Sequence, residues 1–404
     1  MPPLNRPLFG LLFALHCAAI MPTAHADLAS QFFDPVDGRF DASGYLAENA
    51  FGFLPVPVII TEPALDYGLG MTGLFFHEDE ESAEQRREAM LSSENAAAHL
   101  LPPSVSAIFG AYTGNDSLMV GGAHMGFFNQ GRLRYQGGIF YGDINLDYYS
   151  LGGIALERPL SLNTEAGAIF QSLKFKVADW PVFIGPTQRY VNAELSPAGG
   201  IGDLLPPGTP PELEDGITDL LTHDVTTSGL GFIAEFDSRD NLFSPSKGFY
   251  YDFAYVAYRD AIGSDIDYDS YTLSGLNYFL MTENLRGGLR LEAEVADSDD
   301  ILPPFAQPSI DLRGIPAARY QGTHVGVVEA QLTWDIDSRW SVLGFGGVGR
   351  VASSGSEISS ASSIVSKGVG FRYEIARRYG FHMGLDVARG PEDTILYIQA
   401  GSAW

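Results

Sequence analysis

The sequence predicts an all-β protein: a transmembrane antiparallel β-barrel of about 16 strands with long external loops. The first observation is an alternation of apolar and polar residues with period two, as in residues 324–336, where Val328 and Trp334 share one face and Glu329 the other. The second is that such segments run to about ten residues, the length that a tilted strand needs to cross a bilayer. The third is that short and long connections alternate along the chain.

The first 26 residues have the layout of a secretory signal peptide. Arg6 precedes an apolar run from Leu8 to Ile20, and small residues follow up to Ala26. A buried helix or a membrane anchor is the alternative, but the apolar run is too short to span a bilayer. The only cysteine, Cys17, lies in this run, so no disulfide is expected after it.

The remaining chain divides into a short periplasmic N-terminal extension, residues 27–64, and the barrel, residues 65–404. Fifteen or sixteen strands are expected, and closure favours the even number. The pattern is weak between 143 and 168, where a change of phase indicates a separate strand or a bulge. The long connections near 77–102, 197–224 and 298–323 are predicted to be external, and helix-forming residues predict a short external helix over 80–101.

Composition excludes several classes of function. The net charge is −26, from 24 basic and 50 acidic residues, which argues against nucleic acid and anionic headgroups as direct ligands. Divalent cations could bridge the acidic loops to lipopolysaccharide, although a solvated surface is the alternative. An outer-membrane enzyme is the competing class. The histidines are scattered and no Gly-x-Ser-x-Gly motif occurs, so we predict no enzyme, no catalytic residue, no cofactor and no metal ligand.

One turn carries a pattern beyond its composition. Asp237, Arg239 and Asp240 are expected to pair locally and to hydrogen-bond the turn backbone, and Pro245 and Gly248 fit a tight turn. The order Asp-x-Arg-Asp, Pro-x-x-Gly and an alternating aromatic strand resembles a periplasmic turn of the outer-membrane insertase superfamily, the family of the bacterial surface antigens, BamA and TamA.

A second motif strengthens this resemblance. Leu312, Arg313, Gly314 and Ile315 look like the family's Val-Arg-Gly-Phe motif, which lies at the tip of the sixth external loop and implies that this loop folds into the barrel lumen. The terminal aromatic residue, Trp404, is similar to the signal by which outer-membrane barrels are recognised for assembly. The resemblance covers roughly residues 56–404 and implies the subgroup without POTRA domains.

The sequence departs from the family pattern at the position that is expected to hold the partner of the motif arginine, Arg313. Members pair it with an aspartate in an inner-wall Phe-x-Asp-x-Gly pattern, and Gly347 stands at that aspartate position in the stretch Phe345–Gly349. We expect Arg313 to bond another inward carboxylate, because a guanidinium inside a barrel needs an acceptor. Solvation in a wet lumen is the alternative. The candidate partners, in order of preference, are Asp386, Glu374 and Glu329.

The resemblance implies a Gram-negative outer-membrane protein that assists insertion or translocation of proteins or lipids. A small-conductance pore or a structural barrel, either of which could be oligomeric, is the alternative function. The implied partners are outer-membrane lipid and lipopolysaccharide, the barrel assembly machinery during biogenesis, and a possible second copy of the chain.

Overall fold

The computed structural model describes residues 32–49, 53–77, 104–151, 154–198, 222–241 and 245–401. The signal peptide predicted over 1–26, the helix predicted over 80–101 and Trp404 all lie outside these residues. Within them, no helix has both the length and the apolar character needed to cross a membrane.

Sixteen strands form one antiparallel sheet in which each strand pairs with its neighbours in the sequence. The strands are β1 Phe53–Ile60, β2 Gly68–His77, β3 Ser104–Thr113, β4 Leu118–Phe128, β5 Leu133–Leu151, β6 Ile154–Lys176, β7 Val182–Pro197, β8 His223–Asp237, β9 Gly248–Tyr258, β10 Tyr268–Thr282, β11 Leu285–Asp297, β12 His324–Asp335, β13 Trp340–Ala352, β14 Ile364–Ala376, β15 Phe381–Arg389 and β16 Thr394–Ala400. The described ranges also contain one α-helix, α1, at Ser43–Asn49, and four short 3-10 turns at Pro63–Leu65, Asp260–Ile262, Pro304–Ala306 and Arg377–Tyr379. The predicted all-β fold with 16 strands is therefore confirmed.

The sheet curls into a nearly closed barrel whose two edges are β1 and β16. Over the ranges that the structure describes, no ladder pair joins these two strands. We call the line where they meet the seam. Each strand alternates between a lipid-facing and a lumen-facing side, as on β12, where Leu332 and Trp334 are exposed outward and Glu329 is buried inward.

The barrel begins earlier in the sequence than its pattern indicates. Residues Phe53–Ile60 form β1 and pair with β2 along their whole length, whereas the sequence predicted the first strand from residue 65. Pro55 and Pro57 obscure this strand, because proline lacks a backbone N–H and argues against a paired strand. An edge strand tolerates both prolines, since one side of it has no ladder to complete.

Because β1 was not predicted, one connection was also predicted at the wrong end of the barrel. Antiparallel strands alternate direction, so His77 at the end of β2 and Ser104 at the start of β3 lie at the same barrel end as the turns Asp237–Gly248 and 336–339. We call this the turn end, and the opposite end, where residues 298–323 emerge, the loop end. The connection near 77–102 itself lies outside the described residues, but the prediction that it shares the external side with 298–323 is wrong, because the strand ends that bound the two connections lie at opposite ends of the barrel.

The weak region between 143 and 168 is a long hairpin. It comprises the distal halves of β5 and β6, which pair from Leu133↔Phe175 to Leu151↔Ile154 with a register shift between Tyr148 and Ser150. The strands keep one register through Phe140↔Ala168 and Ile139↔Ile169, so this shift does not cause the change of phase in the sequence. The phase changes because the apolar side chains change face: Leu162 is buried with Tyr148 and Leu195, whereas Ile169 is exposed on the opposite face.

Candidate functional site: the lumen loop and Arg313

The connection between β11 and β12, residues 298–323, folds into the barrel, and we call it the lumen loop. Its apolar residues Ile310, Leu312 and Ile315 are buried and pack against Val325 and Val327 on the inner wall. Removing these side chains from water stabilises the inward position, at about 1.5–3 kcal/mol for each fully buried side chain. The predicted inward fold of this loop is confirmed.

Gly314 allows the tight turn that presents the motif. Its φ of +93° lies in the left-handed region, and a Cβ there would come within 3.0 Å of the backbone nitrogen of Gly390. The backbone N–H of Ile315 donates to the carbonyl of Leu312 at 2.9 Å, which closes the turn. Only glycine fits this conformation and this close approach to the β15–β16 connection without strain.

Arg313 is buried between two carboxylates of the inner wall. Its Nε donates to Oε1 of Glu329 at 2.8 Å, and its Nη1 donates to Oδ2 of Asp386 at 2.9 Å. Both carboxylates have 0% side-chain exposure. The guanidinium also lies over the ring of Phe345, 3.4 Å from its centroid. Charge-assisted bonds and a ring contact together hold the arginine in one orientation.

Neighbouring arginines share these carboxylates. Arg372 donates to Oδ1 and Oδ2 of Asp386 at 2.5 and 2.9 Å. Arg290 lies 3.7 Å from Glu329 and donates to Asp311 of the lumen loop at 2.6 Å. Opposite charges therefore alternate across the lumen, and this arrangement offsets part of the cost of burying them. We call this set the lumen network; its members are Asp311, Arg290, Glu329, Arg313, Asp386 and Arg372.

Glu374, the second candidate in order of preference, lies in a different part of the barrel. Ser366, whose hydroxyl donates to the Arg313 carbonyl, is on the same strand as Glu374 but eight residues away, about 26 Å at strand spacing. The backbone of Glu374 contacts Arg339 at the turn end, where its N–H donates to the Arg339 carbonyl at 2.8 Å. The structure thus brings Arg313 together with Asp386 and Glu329, and places Glu374 at the far end of β14.

Gly347, the departure from the family pattern, makes room for the loop. A Cβ at Gly347 would lie 2.5 Å from Cδ2 of Leu312, and one at Gly349 would lie 2.6 Å from Ile310. Side chains of the lumen loop therefore occupy the space that an inner-wall aspartate would need at position 347. The sequence could not show this exchange, because it depends on which strand the loop lies against.

Beyond the motif, the lumen loop spans the seam at the loop end. The N–H of Ala317 donates to Oε1 of Glu62, in the β1–β2 connection, at 2.9 Å. On the other side, Arg319 donates to Glu392, in the β15–β16 connection, at 3.0 Å. The N–H of Gly314 donates to the hydroxyl of Tyr397 on β16 at 2.9 Å. One loop thus contacts both edges of the sheet.

The turn between β8 and β9 has the local pairing that its composition suggests. Arg239 donates to both carboxylate oxygens of Asp237, at 2.9 and 2.8 Å, and Asp240 accepts from the N–H of Ser246 at 2.9 Å. Pro245 is buried. Gly248 has a φ of +107°, and a Cβ there would lie 2.4 Å from the Ser238 carbonyl oxygen. These contacts stabilise the described part of the turn.

The structure also groups two histidines with a serine, which the sequence did not suggest. Ser106 lies between His77 and His124 on the lipid-facing side, with Oγ–N distances of 2.8 and 2.9 Å. Acyl transfer would also require donors for an oxyanion. Ser106 lies inside a strand that pairs on both sides, so the backbone N–H groups around it are used in the ladders. Within the described ranges, the backbone therefore leaves no oxyanion donors beside Ser106.

Of the comparisons with known proteins, the one with solved structures finds the barrel. No protein-family model matches the sequence, and no curated protein matches it. Among solved structures, the chain is similar to BamA from Haemophilus ducreyi lacking POTRA domains 1–3, with a TM-score of 0.55 and 11% identity over 94% of this chain and 82% of that one. It is also similar to CdiB from Escherichia coli, with a TM-score of 0.53 and 10% identity over 86% and 61% of the two chains.

A third similar structure is CdiB from Acinetobacter baumannii, with a TM-score of 0.51 and 11% identity over 86% and 59% of the two chains. This chain thus spans about three fifths of the CdiB chains that it matches. At such identities the likeness shows the shared fold and nothing about activity.

Proposed function

We propose that this chain, which has the fold of BamA-type barrels, assists the insertion or translocation of proteins or lipids at the Gram-negative outer membrane. The observation that carries the proposal is the seam. In the described residues the edge strands β1 and β16 share no ladder pair, and the lumen loop spans the line between them. A barrel wall held by loop contacts needs less energy to part there than one held by a continuous ladder.

A second candidate function is a small-conductance pore. Sixteen strands enclose enough space for an aqueous channel unless a loop fills it. Charged side chains also project inward away from the lumen loop, including Lys174 and Arg134, which both pair with Glu235. This function requires the lumen loop to leave a continuous water path, whereas insertion requires the seam to part.

The deciding experiment measures folding of a client barrel into liposomes. Liposomes carrying this protein receive a urea-denatured client, and folding is followed by gel mobility. We expect faster folding than in liposomes that carry an unrelated barrel at equal mass, which controls for bilayer defects. No acceleration across several clients would contradict the insertion proposal.

A cross-linked variant then tests the role of the seam. Glu62→Cys and Ala317→Cys, joined by a short bismaleimide, connect the β1–β2 connection to the lumen loop. The only native cysteine, Cys17, lies in the predicted signal peptide. We expect the linked protein to lose the acceleration and the unlinked double variant to retain it. Equal acceleration by both would show that insertion does not use the seam.

Current measurements in planar bilayers test the pore function. A plugged barrel should give little or irregular current, and a steady large conductance would favour the pore over the insertase.

A further inference from the structure

A second buried arginine lies at the turn end, far from the lumen network. Arg339, in the β12–β13 turn, has 0% side-chain exposure and contacts three aspartates. Its Nη2 lies 2.6 Å from Asp34, its Nε 2.7 Å from Asp37 and its Nη1 2.5 Å from Asp41. One guanidinium therefore uses all three nitrogens on carboxylates, a fork geometry that a lysine could not reproduce.

All three aspartates belong to one segment, residues 32–49, which we call the strap. Its first part is a small hairpin. The N–H of Asp34 donates to the carbonyl of Arg39 at 2.9 Å, and the N–H of Gly38 donates to that of Asp34 at 2.8 Å. Phe33 and Phe40 pair as an isolated bridge. The strap thus has its own folded shape, which holds its carboxylates in position around Arg339.

The strap also binds the neighbouring turn between β14 and β15. The N–H of Ala42 donates to the carbonyl of Ile375 at 2.6 Å, and the N–H of Arg378 donates to the hydroxyl of Ser43 at 3.1 Å. Further contacts of the strap are those of Tyr373 with Phe40, Arg377 with Asp34 and Asp41, and Arg39 with Asp337. The strap is therefore attached to two turns of the barrel.

The strap and β1 lie on opposite sides of the seam. The strap precedes β1, which begins at Phe53 on one side, yet it docks on turns that belong to β12–β15 on the other side. Because the two are consecutive in the chain, docking of the strap ties the two sides of the seam together at the turn end. At the loop end the lumen loop bridges the same two edges, through Glu62 and Glu392. The seam is thus bridged at both ends.

The prolines of β1 explain why such bridges are needed. Residues of one parity in an antiparallel strand direct N–H and C=O to one neighbour, and residues of the other parity direct them to the other side. Pro55 and Pro57 share a parity in a strand fully paired with β2, so their side is the free edge that faces the seam. That edge lacks two donors, and a continuous ladder to β16 cannot form.

We propose that the turn end of this barrel has a docking site for an acidic peptide segment, centred on Arg339, and that its resident occupant, the strap, holds the seam closed in place of a ladder. The ligand class follows from the site: a hairpin with three aspartates spaced as Asp34, Asp37 and Asp41. This proposal concerns the closed barrel and does not depend on insertion activity.

The first test measures attachment of the strap. Full-length protein in detergent is treated with trypsin, and mass spectrometry follows cleavage after Arg39. We expect Arg339→Gln to raise the cleavage rate roughly tenfold or more, because the strap then detaches more often. The matched control is Arg132→Gln, which removes an exposed turn-end arginine paired with Asp179. Equal rates in wild type and Arg339→Gln would overturn the docking site.

A variant with substitutions only in the strap distinguishes detachment of the strap from misfolding of the barrel. Asp37→Asn combined with Asp41→Asn changes no strand or barrel turn, and we expect it to raise cleavage as Arg339→Gln does. Heat-modifiable gel mobility verifies that each barrel is folded.

The second test measures closure of the seam by hydrogen exchange in the same variants. We expect faster exchange in β1 and β16 and unchanged exchange in β7 and β8, on the opposite wall. Cleavage at Arg39 without faster exchange at β1 would overturn the role of the strap in closure.

The third test uses a peptide in trans. A peptide of residues 32–45, added to the Asp37→Asn, Asp41→Asn protein at on the order of 1 mM, replaces the effective concentration that the tether supplies. We expect it to slow exchange at the Arg378 amide, which bonds Ser43 of a docked strap, and to leave exchange at β1 fast, because the free peptide is not tethered to β1; the same peptide with asparagine at 34, 37 and 41 should change neither. Equal effects of the two peptides, or none from either, would overturn a docking site selective for acidic segments.

Discussion

Arg313 and Arg339 are both buried and both meet several carboxylates, but their surroundings differ. Arg313 reaches out from a loop to carboxylates fixed on strands, and Asp386 has a second arginine, Arg372. Arg339 is the fixed partner, and its three aspartates arrive on the strap. When Arg313 is replaced, the carboxylates of the lumen network therefore keep positive charges beside them. When Arg339 is replaced, the aspartates of the strap keep much less positive charge.

This difference sets the order of the expected effects. Removing one partner of a buried ion pair is costly because it leaves an uncompensated charge. At the turn end, Asp34 retains Arg377 at 3.0 Å, but Asp37 and Asp41 lose the side chain that holds them. In the lumen, Arg372 and Arg290 remain beside Asp386 and Glu329. Substitutions at Arg339 should therefore cost more than those at Arg313.

The largest effect is expected for Arg339→Gln. It should weaken docking of the strap by about 3–5 kcal/mol, because buried carboxylates lose the positive charge that Arg339 supplies. Hydrogen exchange at the amide of Ala42, which bonds the Ile375 carbonyl, measures this free energy. Arg339→Lys keeps the charge and should recover part of the loss; full recovery would contradict the importance of the guanidinium fork.

Arg313→Gln should have the next largest effect. It should reduce the free energy that holds the lumen loop in its inward position by about 2–3 kcal/mol. Limited proteolysis within residues 298–323 measures it, with faster cleavage expected. Arg319→Gln is the matched control from the same loop, since its pair with Glu392 is partly exposed and should contribute less than about 1 kcal/mol. Unchanged proteolysis of Arg313→Gln would show that apolar packing alone holds the loop.

Gly347→Asp tests why this chain departs from the family pattern. The new side chain would collide with Leu312, so we expect a loss of about 1–2 kcal/mol in loop stability from overpacking. Leu312→Ala in the same protein removes the collision and should recover part of this loss. A double-mutant cycle on loop proteolysis measures the coupling; additive effects would show that the two positions do not compete for space.

The sequence predicted the parts of the molecule that depend on local pattern. Period-two alternation predicted the strands after residue 65, and the Leu312–Ile315 motif directed attention to the loop that lies in the lumen. It failed where a local signal was masked or a contact was distant. Pro55 and Pro57 hid β1, and that omission placed one connection at the wrong end. No spacing could reveal that Asp34 and Arg339, 305 positions apart, lie in contact.

The smallest expected effect is that of pH on strap docking. It depends on the aspartates of the strap and of the β12–β13 turn. A hydrogen bond from Arg339 lowers the pKa of Asp37, and backbone N–H donors lower that of Asp337. Burial raises the pKa of Asp41, but hydrogen bonds from Ser43 and Arg339 outweigh it and leave that pKa lowered. Groups of this kind stabilise docking fully above their ordinary pKa of about 3.9, and the contribution is lost as pH falls through the lowered values.

Strap docking should therefore change little between pH 8 and 5, and weaken only below about pH 4. Hydrogen exchange at Ala42, corrected for the intrinsic pH dependence of exchange, measures this. Asp37→Asn serves as the control, because it removes one titrating group and should flatten the decline at low pH. A loss of protection between pH 7 and 5 would mean that a group other than these aspartates governs release. The strap would then be a pH-sensitive element, whereas its carboxylate chemistry predicts one that stays docked at neutral pH and is displaced only by competing acidic ligands.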